Sequence, residues 1–251
     1  MMTEQQIRGI LIALIVVGGA IVVVLCSMVH LLASRESLKE REHGGFERVL
    51  LSEALLEKTH SQRIAWVGVT AALCIVSNCF ELKFATTQFS LTIFTSVLAG
   101  ILIGPMLGAV AVFLGDGLGY LVNSMGYPYY WWVALACAVM AGIAGLIIKL
   151  PFRFKGSGYV KLALICLLTL FICSVGINST GMYFIGLKLY MPKDVLATVE
   201  ERFGGKLTFG VYLIIRFFIL GQIWNSLVNY VLLFAALPLL NAAKPLKIRI
   251  Q

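Results

Sequence analysis

Residues 98–146 read LAGILIGPMLGAVAVFLGDGLGYLVNSMGYPYYWWVALACAVMAGIAGL. The apolar residues come in continuous runs rather than in alternation, which favours helices over half-buried strands. Gly104-Pro105 interrupts the first run. Proline removes a backbone donor and glycine permits a sharp bend, so a tight reversal is predicted between a helix ending at Ile103 and another over Met106–Val122. Asn123–Tyr130, with Gly126 and Pro128, reads as a loop, and Trp131–Ile148 as the next helix.

The same pattern extends in both directions. Towards the N-terminus lie apolar runs at Leu91–Ile103, Ile64–Phe80 and Ile7–Leu32; towards the C-terminus lie Tyr159–Leu187 and Phe209–Leu240. Of the 251 residues, 60% are hydrophobic and 13% charged, with a mean hydropathy of +0.93. A soluble domain has too much surface to hide so apolar a chain, whereas a bilayer accepts it if backbone polar groups are satisfied internally. The expectation is an all-α membrane protein of about seven helices, six in one bundle plus an additional N-terminal transmembrane helix. Its expected divisions are an N-terminal span over 1–33, a charged amphipathic linker over 34–61 and a membrane body over 62–251. The apolar patch Leu50, Leu51, Ala54, Leu55 and Leu56 within the linker predicts a short surface helix, lying along the membrane or against a partner.

Charge sets the orientation. Lys149, Arg153 and Lys155 follow the Trp131–Ile148 helix with no acid among them, and the tail carries Lys244, Lys247 and Arg249. Both segments are assigned to the cytoplasm, which places the loops at 81–90, 123–130 and 188–206 outside. The same bias accounts for most of the net charge of +8, so nucleic acid is not an expected partner.

Enzyme chemistry finds little footing. All three histidines precede residue 64, which argues against a histidine-ligated metal or a Ser-His hydrolase in the body. No GxSxG, Walker A or HExxH motif occurs. The six cysteines lie in apolar stretches without a CxxC pair and read as small buried thiols. No metal and no cofactor is expected, and ATP-driven work would need another subunit.

Polar groups inside spans are costly and therefore candidates for function. Asp116 sits midway along its span; it serves to pair with a neighbouring helix, to meet a substrate or ion, or to face water away from lipid. Arg216 either snorkels to the surface or binds a carboxylate or phosphate. Gln222, Asn225 and Asn229 share one helical face, as interhelical hydrogen-bond partners or as a stripe lining a pocket. Asn178 and Asn78 carry the same two readings. The run Tyr127, Tyr129, Tyr130, Trp131 and Trp132 is an interfacial aromatic belt or a stacking surface for a flat ligand. Gly68 and Ala72, and then Gly100, Gly104 and Gly108, are spaced four apart, as close packing inside the protein or a docking face for another membrane subunit requires.

The segment Leu98–Leu146 resembles the substrate-binding S components of energy-coupling-factor (ECF) vitamin transporters, especially the folate-type group. The resemblance rests on Ala99-Gly100, Gly104-Pro105 and Gly108-Ala109, then Asp116 followed by Gly119 and Leu121, then an aromatic, proline-bearing loop. Ala65–Leu73 is similar to that family's first helix, and Arg216 to a basic residue of its last one. The likeness spans residues 62–240; the additional N-terminal helix departs from it. It implies a multi-pass subunit of a prokaryotic cytoplasmic membrane that captures a vitamin-like micronutrient near the outer face. It also implies docking on a membrane T component driven by two cytoplasmic ATPase subunits. Gln88, Asn123, Tyr127, Trp131, Asn178 and Arg216 would line the pocket, and Gly68, Ala72, Gly100 and Gly104 the docking face. The alternative is a self-contained secondary transporter coupled to protons or sodium through Asp116.

Overall fold

The computed structural model describes residues 49–79, 82–84, 87–122, 129–150, 156–190, 197, 200–201, 204–205 and 207–242. The N-terminal run Ile7–Leu32, most of the charged linker, and the loops holding Asn123, Tyr127, Arg153 and Lys155 lie outside the described residues.

Helices account for nearly everything described. α1 is a single turn, Glu53–Leu56, and α2 runs over His60–Cys79. Thr59 precedes α2 and makes one of the two bonds of a capping box: its backbone N–H donates to Oε1 of Gln62, three residues on, at 3.2 Å. The stretch expected as a polar loop instead forms a small antiparallel hairpin, β1 (Leu82–Phe84) against β2 (Thr87–Phe89), with Lys83 opposite Gln88. The alternation Leu82-Lys83-Phe84 in β1 suits a pleated ribbon. α3 (Thr92–Ile103) and α4 (Pro105–Val122) follow. Gly104 lies between them with φ of +95°, a left-handed conformation that disfavours side chains, and Pro105 opens α4 where its missing N–H costs nothing. The predicted reversal is there.

α5 (Trp131–Ile148) is central, packing on α3, α4 and α6. Its buried face is mostly small: Ala134, Ala136, Ala138, Ala141, Ala144 and Gly145. α6 spans Ser157–Leu187. Its winding loosens to the π form over Thr169–Ser179 and again from Met182. The last run, expected as one helix over Phe209–Leu240, is two: α7 (Phe209–Ile219) and α8 (Gln222–Ala242). The break is at Gly221, whose φ is +75°.

Among the described residues, four helices are long and apolar enough to cross a membrane: α4, α5, α6 and Gln222–Leu240 of α8. Large apolar side chains stand exposed along them, among them Phe113, Leu118, Phe171, Trp224 and Val231. Such continuous apolar surface suits lipid rather than water. This is a helical, multi-pass membrane protein.

The described end of the linker is packed into the body. Val49, Leu51 and Leu55 are buried, and Leu51 and Leu55 form a small core with Ala71, Ile103 and Ala111. Ser52 donates its N–H to the Ile103 carbonyl. A Cβ on Gly104 would lie 2.5 Å from the Ser52 nitrogen, so glycine there also makes room for this strap. Lysine and arginine fasten it: Lys149 Nζ donates to the carbonyls of Val49 and Leu51, and Arg63 to those of Leu55 and Leu56. The short helix expected along the membrane or against a partner is seated on the α3–α4 elbow of its own chain, and the packed unit begins before residue 62. Nearby, buried Lys161 donates to the Ile148 carbonyl at 2.9 Å, placing a cation at the C-terminal, electronegative end of α5.

Candidate functional site

The end of the bundle opposite the strap collects the polar and aromatic groups. It is formed by the hairpin, the starts of α3 and α5, the ends of α4 and α6, and the start of α7.

One cluster surrounds Asp116, half-buried on α4. Asn78 of α2 donates Nδ2–H to Asp116 Oδ1 at 3.4 Å, and Thr92 at the start of α3 donates its hydroxyl to Asn78 Oδ1 at 3.3 Å. Tyr129, just ahead of α5, hydrogen-bonds Asp116. Burial first, then the Asp116 charge, push its phenol up to about 12, so Tyr129 remains a donor at neutral pH. The arrangement needs the glycines of α4. A Cβ on Gly119 would meet Asn78 Nδ2 at 2.9 Å, and one on Gly115 would meet Cys74 Cβ at 2.6 Å. Asp116 is thus bonded to other elements of the bundle while partly open.

A second cluster lies on α6 and α7. Tyr183 donates its hydroxyl to the Leu207 carbonyl at 2.7 Å, and its ring meets those of Phe184 at 4.9 Å, Phe209 at 5.3 Å and Tyr212 at 5.5 Å. Arg216, one turn beyond Tyr212, donates Nη1–H to the Tyr212 hydroxyl at 2.8 Å. Its Nε is buried and has no hydrogen-bond partner, as are Asn178 Oδ1 and Thr180 Oγ1 on α6.

Trp132 packs against α6. It is 2% exposed, and a Cβ on Gly181 would lie 2.5 Å from its ring. Trp131, by contrast, is 52% exposed and meets Trp132 edge-on at 5.8 Å. The buried residue of the pair is therefore Trp132, which the sequence reading places in the aromatic run while choosing Trp131 for the pocket; two adjacent tryptophans at a helix start give no periodicity with which to choose.

The other expected site residues are placed as follows. Asn123 and Tyr127 lie outside the described residues, as does the side chain of Gln88, whose backbone is in β2. Gln222 opens α8, half-buried. Asn225 is 6% exposed and its Oδ1 accepts the Ser90 N–H at 3.0 Å. Asn229 is fully buried; its Oδ1 accepts the Phe94 N–H, and its Nδ2 donates to the carbonyls of Ser90 and Asn225, each at 2.8 Å. These two side chains hold the start of α3, answering backbone donors that a helix's first turn leaves unpaired. Of the two readings of that stripe, the interhelical bond is the one formed by Asn225 and Asn229.

The glycines expected on a docking face divide. Gly100 faces the Ala141 backbone, Gly108 abuts Gly100, and Gly104 is covered by the strap. These three are interior packing positions and present no surface, which corrects the expectation of a docking face built on them. Gly68 and Ala72 are exposed on α2, with nothing within 4 Å of a Cβ at Gly68.

Cys74, Cys137, Cys166 and Cys173 are free and buried. Among the described residues no group of three or more His, Cys, Asp or Glu side chains is placed to hold a metal ion. No protein-family model matches the chain, and no curated protein matches it at a significant level.

Proposed function

We propose that this protein is the substrate-capturing membrane subunit of an ECF-type importer for a vitamin or related micronutrient. It holds its ligand at the polar, aromatic end of the bundle and docks on a membrane T component driven by separate ATPase subunits. The observation that carries this reading is the pairing of two features within one apolar bundle. The glycine-rich segment bearing the family resemblance is interlocked at backbone distance, and buried polar atoms of Arg216, Asn178 and Thr180 await partners at one end. A rigid apolar scaffold with a few convergent polar groups is what small-molecule capture needs. In this reading the protein binds and releases without catalysing, and Gly68 and Ala72 on α2 offer the flat face for the T component.

The test is mass spectrometry of small molecules released on denaturing the full chain, purified gently from cells grown in rich medium. About one equivalent of a vitamin-class molecule per chain supports capture; an empty protein sinks it.

A second reading rests on Asp116, a partly open carboxylate within α4 bonded to Asn78 and Tyr129. In an ion-coupled secondary transporter, that carboxylate would carry the proton or sodium ion. Uptake would then persist after loss of any partner ATPase and stop in Asp116→Asn; in the capture reading it stops when the ATPases are lost.

A further inference from the structure

α4 and α2 present opposite kinds of outer surface. α4 turns Val110, Phe113, Leu114 and Leu118 outward and keeps Gly108, Gly115 and Gly119 inside. α2 does the reverse. Its inner side buries Thr70, Ala71, Cys74 and Ser77, while Ala65, Gly68 and Ala72 stand outside, flanked by Val69 at 56% exposure and Val76 at 50%. Spacings of three and four put Ala65, Gly68 and Ala72 on one stripe. A Cβ at Gly68 would meet nothing within 4 Å. A glycine in mid-helix costs helix stability, and one turned to lipid regains none of it in packing. The close approach of another helix is what offsets that cost.

The chain itself holds a second segment of this kind. The run Ile7–Leu32, outside the described residues, is long enough to span. Gly18-Gly19-Ala20 lies at its centre, and the centre of α2, His60–Cys79, falls between Gly68 and Ala72. The strap fixes their relative direction. Lys149, assigned to the cytoplasmic side, holds the Val49 carbonyl, and Arg63 of α2 holds those of Leu55 and Leu56 at the strap's other end. Residues 33–48 are too charged to cross hydrocarbon, so the Ile7–Leu32 run ends on the side from which α2 starts, and the two are antiparallel. Antiparallel spans place their centres at one depth, which sets Gly18-Gly19-Ala20 level with Gly68 and Ala72. The linker 33–48 reaches at most about 55 Å when extended, enough to bring the run round to α2. A tether this short gives its cargo an effective concentration on the order of millimolar, an advantage no separate protein has.

We propose that the Gly68–Ala72 face of α2 is the seat of the chain's own Ile7–Leu32 segment, packed antiparallel through Gly18-Gly19-Ala20. The inference does not need the capture reading. Where that reading holds, the segment occupies the face that the T component would use, and must leave it before the T component docks.

The experiment is disulfide cross-linking of the full chain in isolated membranes, on a Cys26→Ala background. Ala72→Cys is paired in turn with a cysteine at each position from Val16 to Val23, and Val231→Cys, on an outward face of α8, is the reference. After mild oxidation, mass spectrometry identifies the linked peptides, and gels separate links within one chain from links between two. The expected result is a within-chain link to Ala72→Cys that recurs about every 3.6 positions along the segment and exceeds the Val231→Cys yield by about tenfold or more. Gly68→Leu should lower that yield several-fold by holding the helices apart. The bundle should keep its helix content by circular dichroism, because the site has room for a side chain. An unchanged yield in folded Gly68→Leu overturns the proposal; if that variant does not accumulate, the scan alone decides. Equal yields for Ala72→Cys and Val231→Cys, a flat profile along the segment, or no link at all overturn it. Links only between two chains give the face to a second copy and overturn it as well. Capture is judged by the released ligand, so either reading can fail while the other stands.

Discussion

Asn229 on α8 receives the backbone N–H of Phe94 on α3 at 2.8 Å, across 135 residues of sequence. The same side chain donates to the Ser90 carbonyl, so both of its polar atoms are committed to one helix start. Replacing Asn229 by leucine preserves bulk and takes the side-chain partner from a part-buried N–H and a part-buried C=O. The expected loss is about 2 kcal/mol of stability, read as a lower midpoint of thermal unfolding in detergent. An unchanged midpoint would mean that water reaches these groups and the clamp is not structural.

Gly100 and Gly68 are both helical glycines with opposite surroundings. An alanine at 100 drives its methyl into the Ala141 backbone, where neither helix has a flexible side chain to yield. Gly100→Ala is expected to cost about 1–3 kcal/mol or to block accumulation of folded protein. Gly68→Ala meets open space and should be neutral or stabilising by up to about 1 kcal/mol through helix propensity. In the capture reading, though, the added methyl at 68 roughens the α2 face and should weaken association with the T component, measured by co-purification. If both variants unfolded at the same midpoint, the interlock described for α3 and α5 would be wrong.

The strap is tied by contacts that can be cut one at a time. Leu55 is 1% exposed, and truncation to alanine should cost about 3 kcal/mol, part of it as a cavity beside Ala71 and Ile103. Lys149→Met removes the donor that holds the Val49 and Leu51 carbonyls while keeping side-chain length. Tryptic cleavage after Lys58 should then become several-fold faster, because local opening precedes proteolysis. Equal cleavage rates would show that the apolar contacts alone keep the strap seated.

Tyr129 supplies a pH-dependent signal. Its folded pKa, near 12, exceeds the ordinary phenol value of 10.0. Between those two values the unfolded chain has lost this proton and the folded chain keeps it, so Tyr129's contribution to stability is complete below about pH 10 and falls as pH rises towards about 12. Asp116→Asn should move the phenolate absorbance transition to lower pH without restoring it to 10.0, since burial is the larger cause. Tyr129→Phe identifies the transition by removing it. A transition unmoved by Asp116→Asn would deny the contact between the two residues.

Much of the fold was legible because its punctuation is chemical. Gly104-Pro105 ends one helix and begins the next for reasons local to those residues, and Trp131–Ile148 was bounded correctly by the loop before it and Lys149 after it. The break at Gly221 was not legible. The run IIRFFILGQIWN contains no proline and is mostly apolar, and an isolated glycine within a helical pattern is more often tolerated than not. The strap's seat was hidden for another reason: Lys149 and Arg63 bind backbone carbonyls, which every sequence has and no motif marks. In the candidate site, Asp116, Asn178 and Arg216 stood out because polar atoms are rare in apolar runs. Asn225 stood out equally and is engaged in holding α3, a distinction that depends on which helix faces it.

The seat beneath Val49, Leu51 and Leu55 also bears on where the bundle can be cut. The α3–α4 elbow is shaped around these residues, with no room for a Cβ at Gly104 beside Ser52. A chain trimmed past residue 56 must fill the hollow beside Ala71, Ile103 and Ala111 with larger side chains, or leave it open to lipid.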